Sequence, residues 1–178
     1  MKRRESLDMA YVSVFVALLC VCAWIAVPLA VPITLQTLAV LTAVGVLGGK
    51  RGTLAVAVYL LLGLCGVPVF AGFAGGVGAL FRLSGGYTLG FLGAALVMWL
   101  CENSLPRTRW ALPVSMVLGL CMCYVCGIAW GWHIYLAQGD SGDFLVFLSM
   151  AAVPFILPDA VKLAVAVMLT RRLKKFLK

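Results

Sequence analysis

Charge is what this chain has least of. Only 11% of its 178 residues are Asp, Glu, Lys or Arg, against 64% hydrophobic, where a soluble domain carries about a quarter charged residues. That excludes an ordinary soluble domain and points to an integral membrane protein. Carboxylates are few: Asp159 alone falls inside an apolar run, with Glu102 at the edge of another. A paired-carboxylate mechanism therefore has no second partner. The single histidine, His133, stands beside Trp130 and Trp132 without companions for a metal-ligand set. A phosphate-binding G-x-x-x-x-G-K-[ST] is missing as well. At Gly49-Lys50 the next residue is Arg51, and Val44 stands where the first glycine is needed. H-E-x-x-H and G-x-S-x-G are absent too. The chain is expected to be no enzyme, to hold no cofactor and to hydrolyse no ATP itself.

Two abundant features need a reading. The formal charge is +8, but the basic residues sit in short clusters between apolar runs. No basic stripe interleaved with aromatics exists, so nucleic acid is not an expected partner. Seven cysteines are present, and Cys123 and Cys126 form a C-x-x-C. Such a pair can be redox-active or half a metal site. With no second pair and all seven in or beside apolar runs, they read as small apolar residues.

The apolar runs are long and continuous, unlike the short alternating segments of a barrel, so helices are the spanning element. The first run, Met9 to Pro28, reads as a span rather than a cleaved signal peptide. A proline-bounded break to Pro32 follows. Further spans are expected over Thr34–Gly48, Thr53–Gly66, Tyr87–Cys101, Ala111–Tyr135 and Pro158–Leu173. A Gly49–Gly52 turn separates the second span from the third, and a glycine-rich stretch, Val67–Gly86, separates the third from the fourth. The second and third spans are short, about 22 Å each at 1.5 Å per residue. One domain of six transmembrane helices results, all-α.

The charges fix its expected orientation. Lys2, Arg3, Arg4, Lys50, Arg51, Arg107, Arg109, Arg171, Arg172, Lys174, Lys175 and Lys178 all fall on one side of a six-span arrangement. The other side has Arg82, Asp140 and Asp143. Positive-inside bias then puts both termini in the cytoplasm.

A charge within a span is expensive and usually pairs or lines a functional cavity. Asp159 and Lys162, in Pro158-Asp-Ala-Val-Lys162, are three apart and share a helix face. If the helix starts at Pro158, both lie in its first turn, where free amides favour an anion. The pair is either a self-neutralising structural bridge or a ligand site. For a ligand, the lysine would hold a carboxylate and the aspartate would accept from N–H groups. The Val67–Gly86 stretch supplies glycines for close backbone approach and aromatic walls. On the first span, Ser13 and Ala17 are four apart, a spacing that lets another helix approach closely.

Four segments carry a likeness: V-P-I-T-L-Q-T-L from Val31, G-L-C-G-V-P-V-F-A-G from Gly63, S-G-G-Y-T-L-G-F from Ser84, and P-F-I-L-P-D-A-V-K from Pro154 to Lys162. In order and spacing they resemble the BioY family of biotin transporters across nearly the whole chain. The resemblance implies the six-helix substrate-binding component (S component) of an energy-coupling factor (ECF) transporter in a bacterial-type plasma membrane. Its ligand would be biotin. Its partners would be a membrane coupling subunit and two ATPases, and it would tilt in the bilayer to carry its ligand. Ser13 and Ala17 look like the coupling-subunit contact, with serine in place of the usual alanine. Asp159 and Lys162 would supply polar contacts and Tyr87 another. Phe70 and Phe73 would enclose the ring, and Thr34 and Gln36 would line the same pocket. Whether Lys162 meets the carboxylate or the ureido oxygen stays open. One departure stands out. The family usually has glycine-proline-threonine before Gly-Gly-Tyr, but here Arg82, Leu83 and Ser84 occupy those places. Arg82 is either a second anion contact at the pocket mouth or a solvated side chain. An S component for another small vitamin is excluded only by the resemblance. An intramembrane enzyme lacks a catalytic pair, and a scaffold leaves the buried charges without purpose.

Overall fold

Glycine and alanine decide which helices of this chain can touch. In a bilayer apolar side chains gain little by leaving lipid for protein, so helices associate through close packing and polar contacts. The computed structural model describes residues 2–29, 31–106, 108–139 and 142–176. Arg107, Asp140 and Lys178, counted by side above, lie outside them, as do the side chains of Lys2, Arg3 and Arg4. Among the described residues run α1 (Lys2–Trp24), α2 (Gln36–Leu47), α3 (Gly49–Leu64), α4 (Gly85–Ser104), α5 (Ala111–Ala137), α6 (Phe144–Ala151) and α7 (Val153–Leu173). The most extensive contact is between α4 and α5. A Cβ at Gly86 would stand 2.6 Å from the Cys126 carbonyl oxygen, and one at Gly90 2.9 Å from that of Cys123. Any side chain at either position would drive the two helices apart.

By length and composition, α1, α4, α5 and the α6–α7 pair taken together can each cross a membrane. The chain is thus a multi-pass helical membrane protein. The remaining two helices are shorter. With 12 and 16 residues, α2 and α3 extend about 18 and 24 Å at 1.5 Å per residue. Leu19, Leu41, Val56, Tyr59 and Met116 are fully buried and fill the middle of the bundle.

Three local features differ from the sequence reading. The Gly49–Gly52 segment is the first turn of α3 rather than a loop, and Gly48 alone, at φ 82°, reverses the chain. The Glu102 carboxylate, from the end of α4, accepts the Gly49 N–H. That satisfies an otherwise orphaned helix-start amide and places negative charge where the helix dipole favours it. Arg51 then pairs with Asp8 of α1 at 2.7 Å. The break before Pro32 is a small antiparallel hairpin, β1 (Ala26–Val27) with β2 (Ile33–Thr34). Finally, α7 begins at Val153, not at Pro158. Pro154 takes a first-turn place, where its missing N–H costs nothing. Pro158 is carried inside the helix, which spanning helices tolerate when neighbours repack around the freed backbone.

Candidate functional site

That earlier helix start corrects the first-turn expectation for the charged pair. Asp159 and Lys162 sit in the second and third turns of α7, away from its free amides, so the carboxylate needs partners of its own. It has two. Lys162 Nζ donates to Asp159 Oδ1 at 2.8 Å, and the Tyr124 hydroxyl, from α5, donates to Oδ2 at 2.7 Å. Asp159 is 6% exposed and Lys162 8%. The ammonium has three donors, and one is used on Asp159. Every carboxylate oxygen also keeps a further lone pair.

These groups face a cavity of about 700 Å³, counting the part open to solvent. It lies between the starts of α2 and α4, the middle of α5 and the first half of α7. Thr34, Gln36, Phe70, Arg82, Tyr87, Asp159 and Lys162 all line it. Seven of the eight side chains expected at a pocket are therefore brought together, although their distances in sequence span most of the chain.

Thr34, Gln36, Phe70 and Tyr87 are each held from behind. Thr34 donates to Gln36 Oε1 at 3.0 Å, Gln36 donates to the Tyr59 hydroxyl at 2.5 Å, and Tyr59 donates to the Val69 carbonyl at 3.0 Å. This buried relay ties α2 to α3 and to the loop that carries Phe70. The Phe70 ring meets Tyr59 edge-on, with centroids 5.6 Å apart, and packs over Gly63, where a Cβ would overlap it. Tyr87 stacks on Phe155 at 6.2 Å and meets Tyr124 edge-on at 6.0 Å. Its hydroxyl donates to the Ala151 carbonyl at 2.6 Å, at the α6–α7 junction. Tyr87 thus spends its proton on the fold and offers a ligand its ring and a lone pair. Arg82 is exposed at the cavity rim.

Phe73 is placed elsewhere. It is 64% exposed, stacks on Trp24 at 5.2 Å and does not line the cavity. Gly72 and Phe73 both have positive φ, 69° and 56°, which swings the Phe73 ring outward over α1. Trp24 in turn donates from its indole to the Pro68 carbonyl at 3.0 Å. This aromatic pair pins the loop to α1 from outside.

Sequence reasoning did not pick out Tyr124, Phe91, Phe155, Thr88 or Ser84, all of which line the cavity. Tyr124 carried a usable signal: a hydroxyl deep in an apolar run needs a partner when buried. Nothing in its spacing names Asp159, 35 residues on. Cys123 lines the cavity as well, its thiol 3.6 Å from the Tyr87 carbonyl. Among the described residues no three His, Cys, Asp or Glu side chains converge as a metal site would require. Ser13 and Ala17 lie exposed on one face of α1 and do not line the cavity. The Ser13 hydroxyl is turned back onto the Met9 carbonyl at 3.0 Å.

Bundle and cavity together define a multi-pass membrane protein with a buried, charge-bearing cavity at one end. The BioY family model matches residues 1–178, and the chain belongs to the BioY family. It is 42% identical to the biotin transporter BioY of Thermotoga maritima, over 91% of this chain and 92% of that protein. Against the biotin transporter BioY of Rhodobacter capsulatus it is 34% identical, over 95% and 94% respectively. Its fold is similar to the crystal structure of the S-component for biotin from an ECF-type ABC transporter. The TM-score there is 0.85 at 26% identity, over 98% of this chain and 94% of that one.

Proposed function

We propose that this chain captures biotin at the outer face of the plasma membrane, as the substrate-binding subunit of an energy-coupling factor transporter. Membership of the BioY family and the likeness to a biotin S-component support the reading. The observation that carries it is the buried Asp159–Lys162 pair opening into an aromatic-walled cavity. Biotin has a ureido group with two N–H donors and one carbonyl acceptor, an apolar thioether ring, and a chain ending in a carboxylate. The ureido end matches Asp159, an acceptor, beside Lys162, a donor. The ring matches Phe70, Phe91 and Phe155. The carboxylate then extends to the rim, toward Arg82.

The bilayer arrangement follows from charge. Lys50, Arg51, Arg171 and Arg172 belong to the end of the bundle away from the cavity, which positive-inside bias makes cytoplasmic. With α2 and α3 as short spans and α6–α7 as one interrupted span, the chain crosses six times and both termini are cytoplasmic. The exposed Ser13–Ala17 face of α1 suits a coupling subunit, which two ATPases would drive. Transport is this chain's role, and the energy-yielding chemistry belongs to those partners.

Titration calorimetry on the detergent-purified protein tests the assignment. Tight biotin binding is expected. Phe155→Ala should weaken it tenfold or more, about 1.4 kcal/mol, while Phe73→Ala should leave it within about twofold, since that ring only caps Trp24. Arg82→Gln should weaken biotin but not biotin methyl ester, which lacks the carboxylate. A folded protein that binds no biotin would overturn the assignment and redirect the search to other small vitamins.

A further inference from the structure

A second built surface lies on the outside of the bundle, with its charged end opposite the cavity. A groove runs between α1 and α3, lined by Asp8, Met9, Val12, Ser13 and Val16 on one side and by residues from Lys50 to Leu62 on the other, with Trp99 behind. We propose that this groove binds one anionic phospholipid, its phosphate on Lys50 and Arg51 and one acyl chain along Val16, Leu54, Ala57 and Leu62.

Three observations converge on that occupant. The first is length. From Lys50 to Leu62 the groove follows α3 for about 18 Å at 1.5 Å per residue, close to the roughly 15 Å of hydrocarbon in one leaflet. The second is the division of polarity. The charged residues, Asp8, Lys50 and Arg51, are gathered at one end, and the rest of the wall is apolar apart from Ser13 and Thr53. Asp8 neutralises one of the two cations, through Arg51 at 2.7 Å. Lys50 is exposed and makes no ion pair among the described residues. The head of the groove therefore keeps one positive charge, which a zwitterionic headgroup leaves uncompensated and an anionic one neutralises. The third is Thr53, one turn inward from Lys50. It is buried against the groove, and its hydroxyl has no hydrogen-bond partner. An unpartnered buried hydroxyl is costly, and a rotation about χ1 toward the groove would give it a lipid's glycerol ester oxygen as acceptor.

A lipid at this place would border the Ser13–Ala17 face, so its arrival or release is positioned to influence docking of a coupling subunit. The site is independent of the biotin cavity, and its test separates the two. The full chain, stripped of lipid in detergent, is titrated with phosphatidylglycerol or with phosphatidylcholine of the same acyl chains. Bound lipid is counted by native mass spectrometry, and biotin binding is followed in parallel. One phosphatidylglycerol per protein is expected, at concentrations at least tenfold below those needed for phosphatidylcholine. Lys50→Gln should reduce phosphatidylglycerol to the phosphatidylcholine level, and Ala57→Trp, which fills the groove, should exclude both. Both variants should bind biotin as the wild type does. Equal retention of the two lipids, or a preference that survives Lys50→Gln, would sink the proposal. If Ala57→Trp left lipid counts unchanged yet blocked co-purification with the coupling subunit, the groove would be a protein seat instead. Should Ala57→Trp not fold, Lys50→Gln decides alone. Loss of biotin binding with the lipid preference intact would count against the transport reading only.

Discussion

Changing Lys162 to methionine is expected to weaken biotin binding a hundredfold or more, about 2.7 kcal/mol, and to lower the unfolding temperature of the purified protein. Methionine keeps the length of the stem and removes the charge. Asp159 is then left buried with one partner, the Tyr124 hydroxyl at 2.7 Å. Stranding one member of a buried ion pair costs about 3–5 kcal/mol. Asp159→Asn strands the ammonium in the same way. The double variant Asp159→Asn/Lys162→Met strands neither, so its thermal stability should recover most of what each single change loses. Such non-additivity is the mark of two groups in direct contact. Biotin binding should not recover, because the donor and acceptor proposed to meet the ureido group are both gone. This separation decides between the two roles open to the pair. A self-neutralising bridge with no ligand role would give a stable double variant that binds biotin like the wild type. A ligand site gives a stable double variant that does not.

How much of this was readable beforehand depended on the kind of signal. Residues that obey a membrane-wide rule were legible. The scarcity of charge, the clustering of Lys and Arg and the cost of a charge inside a span led to a helical membrane protein and to Asp159 and Lys162. Features set by one local competition were not. Pro158 reads as a helix start, yet Pro154, four residues earlier, serves that role equally well, and the longer helix wins by extending to Val153. Gly49 to Gly52 reads as a turn because two glycines flank two charges. A carboxylate 53 residues away caps that segment into a helix, and no spacing rule anticipates it. Phe73 shows the same limit on a single side chain. Phe70 and Phe73 look equivalent in a glycine-rich stretch, but the positive φ at Gly72 and Phe73 sends one ring outward and leaves the other buried at the cavity. Tyr124 was missed because a tyrosine in a long apolar helix is ordinary until its partner is known.

Gly127→Ala should weaken biotin binding tenfold or more although Gly127 does not line the cavity. On α5 its Cα faces the Tyr87 ring, and an added Cβ would fall 2.4 Å from two of the ring carbons. The ring has nowhere easy to go. It is wedged between Tyr124 and Phe155, and its hydroxyl is tied to the Ala151 carbonyl. Overpacking of this kind costs about 1–3 kcal/mol. Part of it would be relieved by breaking the Ala151 bond and letting the α6–α7 junction shift. Asp159 lies eight residues beyond that junction, so the shift would move the carboxylate relative to Tyr124 and loosen the pocket. Two companions isolate the cause. Tyr87→Phe removes only the hydroxyl, about 1 kcal/mol for one hydrogen bond, and should give the milder defect. Gly78→Ala, in the glycine-rich loop with nothing within 4 Å of its added Cβ, should bind biotin as the wild type does. If Gly127→Ala bound normally while Tyr87→Phe did not, the hydroxyl alone would matter. The close approach of α5 to the Tyr87 ring would then have no part in shaping the site.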